Sequence, residues 1–472
     1  MTLARLWAFL AVGLPVLAAL IANLSSVDLA YHLRAGEITL DTGRIPTFDT
    51  FTWTATGIDW LNQQWGAQVI LAAVHRVAGW TGLALLRAAL VGLTFGFLFE
   101  ACRLRGIDLR RAAWLTLAAF VVSAVALALR PQLFGMTLLA LTLLIVAGRR
   151  AHPRWLWAVP AIVLVWANVH GSFFLGIAVL GLAWLEDVHG HVPSPHRVLA
   201  VAGAAGIVAN LNPFGIAVWR YAAGLTTNAF VTSRISEWQP TTLRTIPGIL
   251  FFGSAALVVV LLARRGRMTS WPTLAWLAVF AAIGAYAIRG VAWWPLGAVV
   301  AIAGVLAADR ATAGAPTLER RDRASPINLV VVGLIVVVCI VLVPAWRPID
   351  GRIGAPDGLV GDAPPGITAA LRDIAKPGDR ILNPQPWGSW FELALPANPV
   401  ALDSRIELFP RDVWDSFDRV RDGGDGWQAT LAAWKVRFVV ATDEEKDLVS
   451  RLIAAGWTTG FHDELGTILV AP

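Results

Sequence analysis

Residues 6–24, LWAFLAVGLPVLAALIANL, run without a charge into residues 25–40, SSVDLAYHLRAGEITL. An apolar stretch of that length is what a helix needs to cross the ~30 Å of bilayer hydrocarbon. Where it ends, the chain at once sets out Asp28, His32, Arg34 and Glu37. Read as a helix, 28–40 has two faces. Asp28, His32, Ala35 and Thr39 recur on one, and Leu29, Leu33, Gly36 and Leu40 line the other. The apolar face is expected against the membrane surface or a helical bundle. The polar face points a carboxylate and an imidazole the same way, one turn apart. That spacing suits a shared metal ion, a base with its orienting partner, or an N-terminal cap favoured by the helix dipole. The residues alone leave all three open.

The first span sets the pattern for the chain. Over 472 residues it is 57% hydrophobic and 15% charged, with a mean hydropathy of +0.63, which excludes a single soluble globule. In lipid every backbone polar group must be satisfied internally, and the alternation of barrel strands is absent, so the apolar runs are expected as helices. Eleven can be placed, near 6–24, 81–101, 112–129, 131–148, 155–168, 171–186, 198–211, 247–263, 272–288, 291–308 and 327–345. The two around NVHGS are short, and 155–186 also reads as one helix broken at His170-Gly171. The start is read as an uncleaved first span rather than a signal peptide, whose apolar region is shorter.

The net charge of +6 is almost wholly arginine, since the lysines are Lys376, Lys435 and Lys446. This is a compositional bias, not a nucleic-acid footprint. Cys102 and Cys339 sit in or beside apolar spans, which argues against a disulfide framework. No glycine-rich phosphate loop, CxxC pair or HExxH motif occurs, so nucleotide, zinc-finger and zincin chemistry have no support.

Arginines orient the spans. They cluster at 103–111, at Arg149, Arg150 and Arg154, at Arg197, at Arg264, Arg265 and Arg267, and at Arg310, Arg320, Arg321 and Arg323. The positive-inside rule puts these loops and the N-terminus in the cytoplasm, and an odd number of spans puts the C-terminus outside. Three regions then face the exterior: 25–80, 212–246 and 346–472. The expected domains are 1–345, a polytopic α-helical membrane domain carrying the first two regions as loops, and 346–472, a small extracytoplasmic α/β domain. In the latter RILNP, PVALD, RFVVAT and GTILVAP read as strands, and WGSWFELAL and EEKDLVSRLIAAG as helices. No internal repeat of the transporter kind is visible.

The segment TGRIPTFDTFTWTATGIDWLNQQWGAQVI, 42–70, follows the Asp28 helix. An acidic residue and His after span one, then G-x-I-P-x-x-D-x-F-T and a Trp-rich amphipathic helix, resemble the GT-C superfamily of membrane glycosyltransferases, in particular a large bacterial group. WANVHGSFFLG at 166–176, LNPFG at 211–215, SEWQP at 236–240, NPQPWGSWFELALP at 383–396 and ALDSR at 401–405 extend the resemblance over nearly the whole chain. It implies an enzyme of the bacterial cell envelope, in the plasma (inner) membrane, that uses polyprenyl-phosphate or polyprenyl-diphosphate sugars at the outer face. The acidic residue after span one serves there as general base or metal ligand, and Asp28 occupies that place. An acceptor hydroxyl is a poor nucleophile, and a positioned carboxylate can take its proton as the glycosidic bond breaks. Several superfamily members have two adjacent acidic residues at this point. Here Asp28 stands alone, Glu37 is half a turn out of phase, and Asp49 could be the second carboxylate if the loop folds back. That departure puts a divalent metal, with Asp28 and His32 as its ligands, in doubt.

Other candidates each have a plainer alternative. His32 is a partner of Asp28 or an interfacial histidine. Asn168, His170, Gly171 and Ser172 form a polar quartet where polar groups usually face a cavity; the alternative is a turn whose side chains satisfy broken backbone bonds. Arg130 and Arg289 suit a lipid phosphate, or snorkel to headgroups. Glu237 is the best acidic residue of 212–246. The 23 tryptophans fit aromatic belts without sugar stacking. Asp403 and Arg405 read as a pair, or with Trp387-Gly388 as an acceptor contact. The reading adopted is a polyprenyl-phosphate-sugar-dependent glycosyltransferase with Asp28 as base and His32 assisting. Arg130, Arg289, His170, Asn168 and Glu237 bind substrate, and the acceptor is a glycan, lipid or protein. The rival is a non-catalytic membrane scaffold or lipid carrier that keeps the fold.

Overall fold

A computed structural model describes residues 1–25, 27–227, 229–265, 268–312 and 324–472. Ser26, Arg267, Arg320, Arg321 and Arg323, used in the reading above, lie outside the described residues. By packing the chain divides into two units: Met1–Ala22 with Ala84–Trp346, and Asn23–Leu83 with Arg347–Pro472. The segment drawn from sequence as the first loop of the membrane domain thus groups with the C-terminal residues.

The first unit is helical. Among the described residues seven helices are long and apolar enough to cross a membrane: Leu3–Ile21, Trp65–Leu104, Leu109–Ala126, Pro131–Gly148, Gly171–His189, Ile246–Ala263 and Ile288–Ala311. Four shorter apolar helices, Pro153–Val169, His196–Val208, Trp271–Tyr286 and Pro326–Val341, fall on the remaining expected spans. The chain is an integral membrane protein. Several of these helices open on proline at the first turn, where the missing N–H would have had no partner. Burial separates central helices from peripheral ones. In Ile246–Ala263 only Gly248 and Phe251 are buried, and Leu257 and Val259 point outward, as a lipid-facing helix should. In Pro131–Gly148 and Ile288–Ala311 the buried share of the apolar window is 78%. These two are the core of the bundle.

Buried arginines hold helix ends. Arg87 donates to the carbonyls of Ala19 and Ala22, the end of the first helix, where a cation meets the negative pole of the dipole. Arg105 pairs with Glu186 at 3.0 Å, and Arg149 with Asp187 at 2.8 Å. Two arginines counted for topology are therefore also structural ion pairs.

The second unit is built on a four-stranded sheet in the order Arg380–Leu382, Val436–Thr442, Gly466–Val470, Thr458–His462. The first pair is parallel and the others antiparallel, with Val440 opposite Ile468. PVALD, expected as a strand, makes only isolated bridges, Val400 with Ile381 and with Thr52. Thr458–His462 is a strand the sequence reading lacks, because its exposed TTGFH has no apolar alternation. Residues 49–54 attach to this sheet: Trp53 donates to the Val400 carbonyl at 3.1 Å and Thr54 to that of Ala401.

The helix Leu29–Thr42 is buried on both faces over its first two turns, rather than on one as its pattern suggests. Its close neighbour is the start of Trp65–Leu104: a Cβ on Gly36 would lie 2.1 Å from the Gln68 carbonyl oxygen, so only glycine fits. That long helix breaks at Gly79 (φ 58°, ψ −157°), a conformation open essentially to glycine alone. The break divides the amphipathic part from the span, close to where the apolar run begins in sequence.

Candidate functional site

In the first unit four of the sequence candidates converge. Arg130 is the residue before Pro131, which forces it into an extended conformation (φ −151°, ψ 169°) at the N-terminus of Pro131–Gly148. Arg289 lies in the tight turn Ile288–Ala292 that leads into the other central helix, Trp293–Thr312. Gln132 donates to the Arg289 carbonyl at 3.4 Å and ties the two helix starts together. Glu237, in the turn Ser236–Trp238, reaches both arginines: Arg130 Nη2 to Oε1 is 2.7 Å and Arg289 Nε to Oε2 is 3.7 Å. The Trp238 ring lies 5.3 Å under the Arg289 guanidinium, a cation–π contact. Burial alone would push the Glu237 carboxyl up, but Arg289 and Arg130 hold it below the usual carboxylate range, so it is ionised. Two guanidinium charges thus surround one carboxylate.

The segment that carries Glu237 is docked just downstream. Ile288 N–H donates to the Gln239 carbonyl at 3.0 Å, Thr241 N–H to Ala285 at 3.3 Å, and the Thr241 hydroxyl to Gly284 at 2.6 Å.

His170 breaks the chain between Val159–Val169 and Gly171–Phe173 with an extended backbone (φ −161°, ψ 140°). Its Nδ1 accepts from Ser172 N–H at 3.2 Å and lies 2.7 Å from the Ser172 hydroxyl, which in turn accepts from Trp166 Nε1 at 3.1 Å. With Nδ1 accepting, the ring proton sits on Nε2. The ring faces Trp293 at 6.1 Å, and the charges of Arg289 and Arg130 both act on it. Gly135, in the second turn of Pro131–Gly148, makes the approach possible. A Cβ there would lie 2.9 Å from Ser172 Oγ and 3.1 Å from His170 Nδ1 and Trp166 Nε1. Sequence reasoning missed Gly135; its signal is a glycine inside a helix that otherwise has no need of one. Asn168 donates to the Leu164 and Leu211 carbonyls at 2.9 and 3.3 Å, so it joins a helix end to the LNPFG segment.

The other candidates belong to the second unit. Asp28 is the N-cap residue just before its helix, with αR backbone (φ −87°, ψ −23°) and no side-chain capping bond, so the capping alternative has no hydrogen bond behind it. It is half-buried. His32 is 1% exposed, with Nδ1 3.3 Å from Gln68 Nε2 and its ring against Tyr31 at 4.1 Å. Gln68 is itself fixed by paired amide bonds to Asn62, 2.8 and 2.7 Å. Glu37 lies 3.6 Å from Arg34 and 4.0 Å from His75 Nδ1, and burial raises its pKa despite Arg34. With His75, Trp80, Arg372 and Trp390 it lines a cleft of about 620 Å³.

Asp49 is fully buried. It accepts from Thr52 N–H at 3.0 Å and Thr52 Oγ1 at 2.7 Å, and pairs with Arg405 at 2.6 Å. Arg405 also binds Asp403, Nε to Oδ2 at 2.8 Å, and approaches Glu392 at 3.8 Å. Of the two readings of Asp403 and Arg405, pairing is what the geometry displays. The glycine of Trp387-Gly388 has a packing reason, since a Cβ on it would lie 1.9 Å from the Leu402 carbonyl oxygen. Among the described residues no group of three or more His, Cys, Asp or Glu side chains is arranged to hold a metal ion, and His32, Glu37 and Asp49 each have partners of their own.

No protein-family model and no curated protein matches the chain. Solved structures do. The oligosaccharyltransferase of Archaeoglobus fulgidus in the apo form is 13% identical, with a TM-score of 0.54 over 92% of this chain and 69% of that one. The same organism's oligosaccharyltransferase AglB, in complex with an inhibitory peptide and a dolichol-phosphate, is 13% identical with a TM-score of 0.54, covering 93% and 70%. ArnT from Cupriavidus metallidurans in the apo state is 13% identical with a TM-score of 0.44 over 98% of each chain. At such identity the likeness bears on architecture alone: this chain shares the fold of the two oligosaccharyltransferase structures.

Proposed function

We propose that the chain transfers a sugar from a polyprenyl-phosphate donor to an acceptor at the outer face of the plasma membrane of a bacterium, with Arg130 and Arg289 holding the donor phosphate. The observation that carries this reading is the convergence of two arginines, 159 positions apart (289 − 130), on one carboxylate at the starts of the two most buried helices. Guanidinium groups present paired N–H donors that match phosphate oxygens. AglB, which has this fold, has been described with a dolichol-phosphate, a lipid phosphate of the kind proposed.

Asp28 is the proposed base, on its place after the first span and its partial exposure. It accepts the acceptor's hydroxyl proton as the new C1–O bond forms. The bond from C1 to the phosphate oxygen breaks, and the polyprenyl phosphate leaves with its electron pair, its charge met by the arginines. Burial of His32 against Gln68 supports a positioning role for it within the helix. His170 and Trp238 contribute the uncharged walls of the phosphate site.

The test is release of label from a polyprenyl-phosphate [¹⁴C]hexose by the purified full chain in nanodiscs. Arg130→Gln and Arg289→Gln should weaken donor binding, and Asp28→Asn should bind donor yet lose ~10²–10⁴-fold in rate. Wild-type protein that binds farnesyl phosphate but never releases label would favour the lipid-carrier reading instead.

A further inference from the structure

We propose that Glu237 is the resident counter-ion of the arginine pair, competing with an incoming phosphate for the same donors, so that anion binding is coupled to release of the segment that carries it. This rests on the reading of Arg130 and Arg289 as a phosphate site, and adds how that site is kept closed.

The geometry is that of a substitute ligand. A carboxylate offers two oxygens about as far apart as two oxygens of a phosphate, and Glu237 sets one against Arg130 Nη2 and the other near Arg289 Nε. The side chain of Arg130 is 11% exposed and that of Arg289 22%, so little of either guanidinium remains for a second anion. A phosphate seated beside a retained carboxylate would bring like charges to contact in a half-buried place, where repulsion is weakly screened. The phosphate and Glu237 are therefore alternatives.

What moves is set by the backbone. Downstream of Glu237 the chain is pinned by the bonds of Gln239 and Thr241 to residues 284–288. Upstream lies the short helix Ala229–Arg234, held to the turn by the Gln239 side chain, which donates to the Thr232 carbonyl at 3.0 Å. Trp238 rests on Arg289 and belongs to the same turn. Expelling Glu237 thus loosens the 236–238 turn and its Trp238 contact, while the anchor at Gln239 and Thr241 holds and Gln239 keeps its tie to Thr232. The arginine pair is covered while empty, and the covering piece is freed by the anion itself.

The experiment uses the full chain in nanodiscs with two probes, farnesyl phosphate and inorganic phosphate, and follows hydrogen exchange of 236–238. Glu237→Gln, which keeps the shape and removes the charge, should bind both probes ~10-fold more tightly than wild type. Farnesyl phosphate should speed exchange of 236–238 in wild type and change it little in Glu237→Gln. Equal or weaker binding by Glu237→Gln overturns the proposal while leaving the phosphate site standing, provided Arg130→Gln reduces wild-type binding. A gain for farnesyl phosphate alone would place the competition at the lipid tail and also overturn it, as would protection of 236–238 on binding. If Arg130→Gln binds both probes as wild type does, the phosphate site itself falls.

Discussion

Arg405→Met is the sharpest test of how the second unit is held together. The Arg405 side chain is 1% exposed and serves three carboxylates: Asp49 at 2.6 Å, Asp403 at 2.8 Å and Glu392 at 3.8 Å. Its guanidinium also sits 4.5 Å from the Trp60 ring and 4.8 Å from that of Phe51. Methionine of similar length can keep the aromatic contacts but leaves buried carboxylates with no cation. Breaking a buried pair from one side costs about 3–5 kcal/mol, far more than the net worth of the pair. For a folding unit of this size each kcal/mol shifts Tm by about 2–4 °C, so the loss should be roughly 6–20 °C. Thermal unfolding of the detergent-solubilised chain, followed by tryptophan fluorescence, measures it. The loss should shrink at acid pH, where protonation relieves the stranded carboxylates. A Tm within about 2 °C of wild type at neutral pH would refute the assignment of Arg405 as the central cation.

Glu392 has its pKa raised well above 4.5, by burial first and then by Asp403, so its folded-state pKa exceeds the unfolded one. Its favourable contribution is complete below about pH 4.5 and is lost as pH rises through the folded value; Glu392→Gln should abolish that decline, and an unchanged pH profile of Tm would count against it. Gly135→Ala should push the Ser172 and His170 side chains away, lowering stability by about 1–3 kcal/mol and weakening farnesyl phosphate binding; a variant unaltered in both would separate the His170 turn from the anion site. Cysteines at Thr42 and Lys435 should react with an impermeant reagent in intact cells and one at Arg110 should not, and protection of Lys435Cys would overturn the odd span count.

The helical architecture was legible because hydrocarbon imposes one pattern, a long apolar run. The grouping of 23–83 with 347–472 was not. It depends on single bridges such as Thr52 to Val400 and on one buried arginine reaching Asp49, 356 residues away, and neither leaves a periodic mark. ALDSR puts Asp403 beside Arg405 in sequence, but only the fold reveals that Arg405 serves Asp49 as well. The helix of residues 28–40 misled in one respect. Two apolar residues per turn with polar ones between suggest a surface helix, yet Gly36 lets a second helix approach so closely that His32 is enclosed.

Arg130 and Arg289 were the hardest to judge from sequence, because an arginine at the edge of an apolar span usually stretches along the span to reach headgroups. That explanation needs a helix whose surface faces lipid. Pro131–Gly148 and Ile288–Ala311 are the two most buried of the long apolar helices described, and their arginines turn toward a shared carboxylate rather than outward. Each also stands within about one turn of a helix N-terminus, where unpaired N–H groups and the dipole add positive potential. Two guanidinium groups and two positive helix ends in one place repel one another, and the fold tolerates them because Glu237 lies between. Under the proposed reading, a site neutralised from within is one arranged to receive an anion, which accounts for the acidic residue belonging to a connecting segment and not to the buried helices.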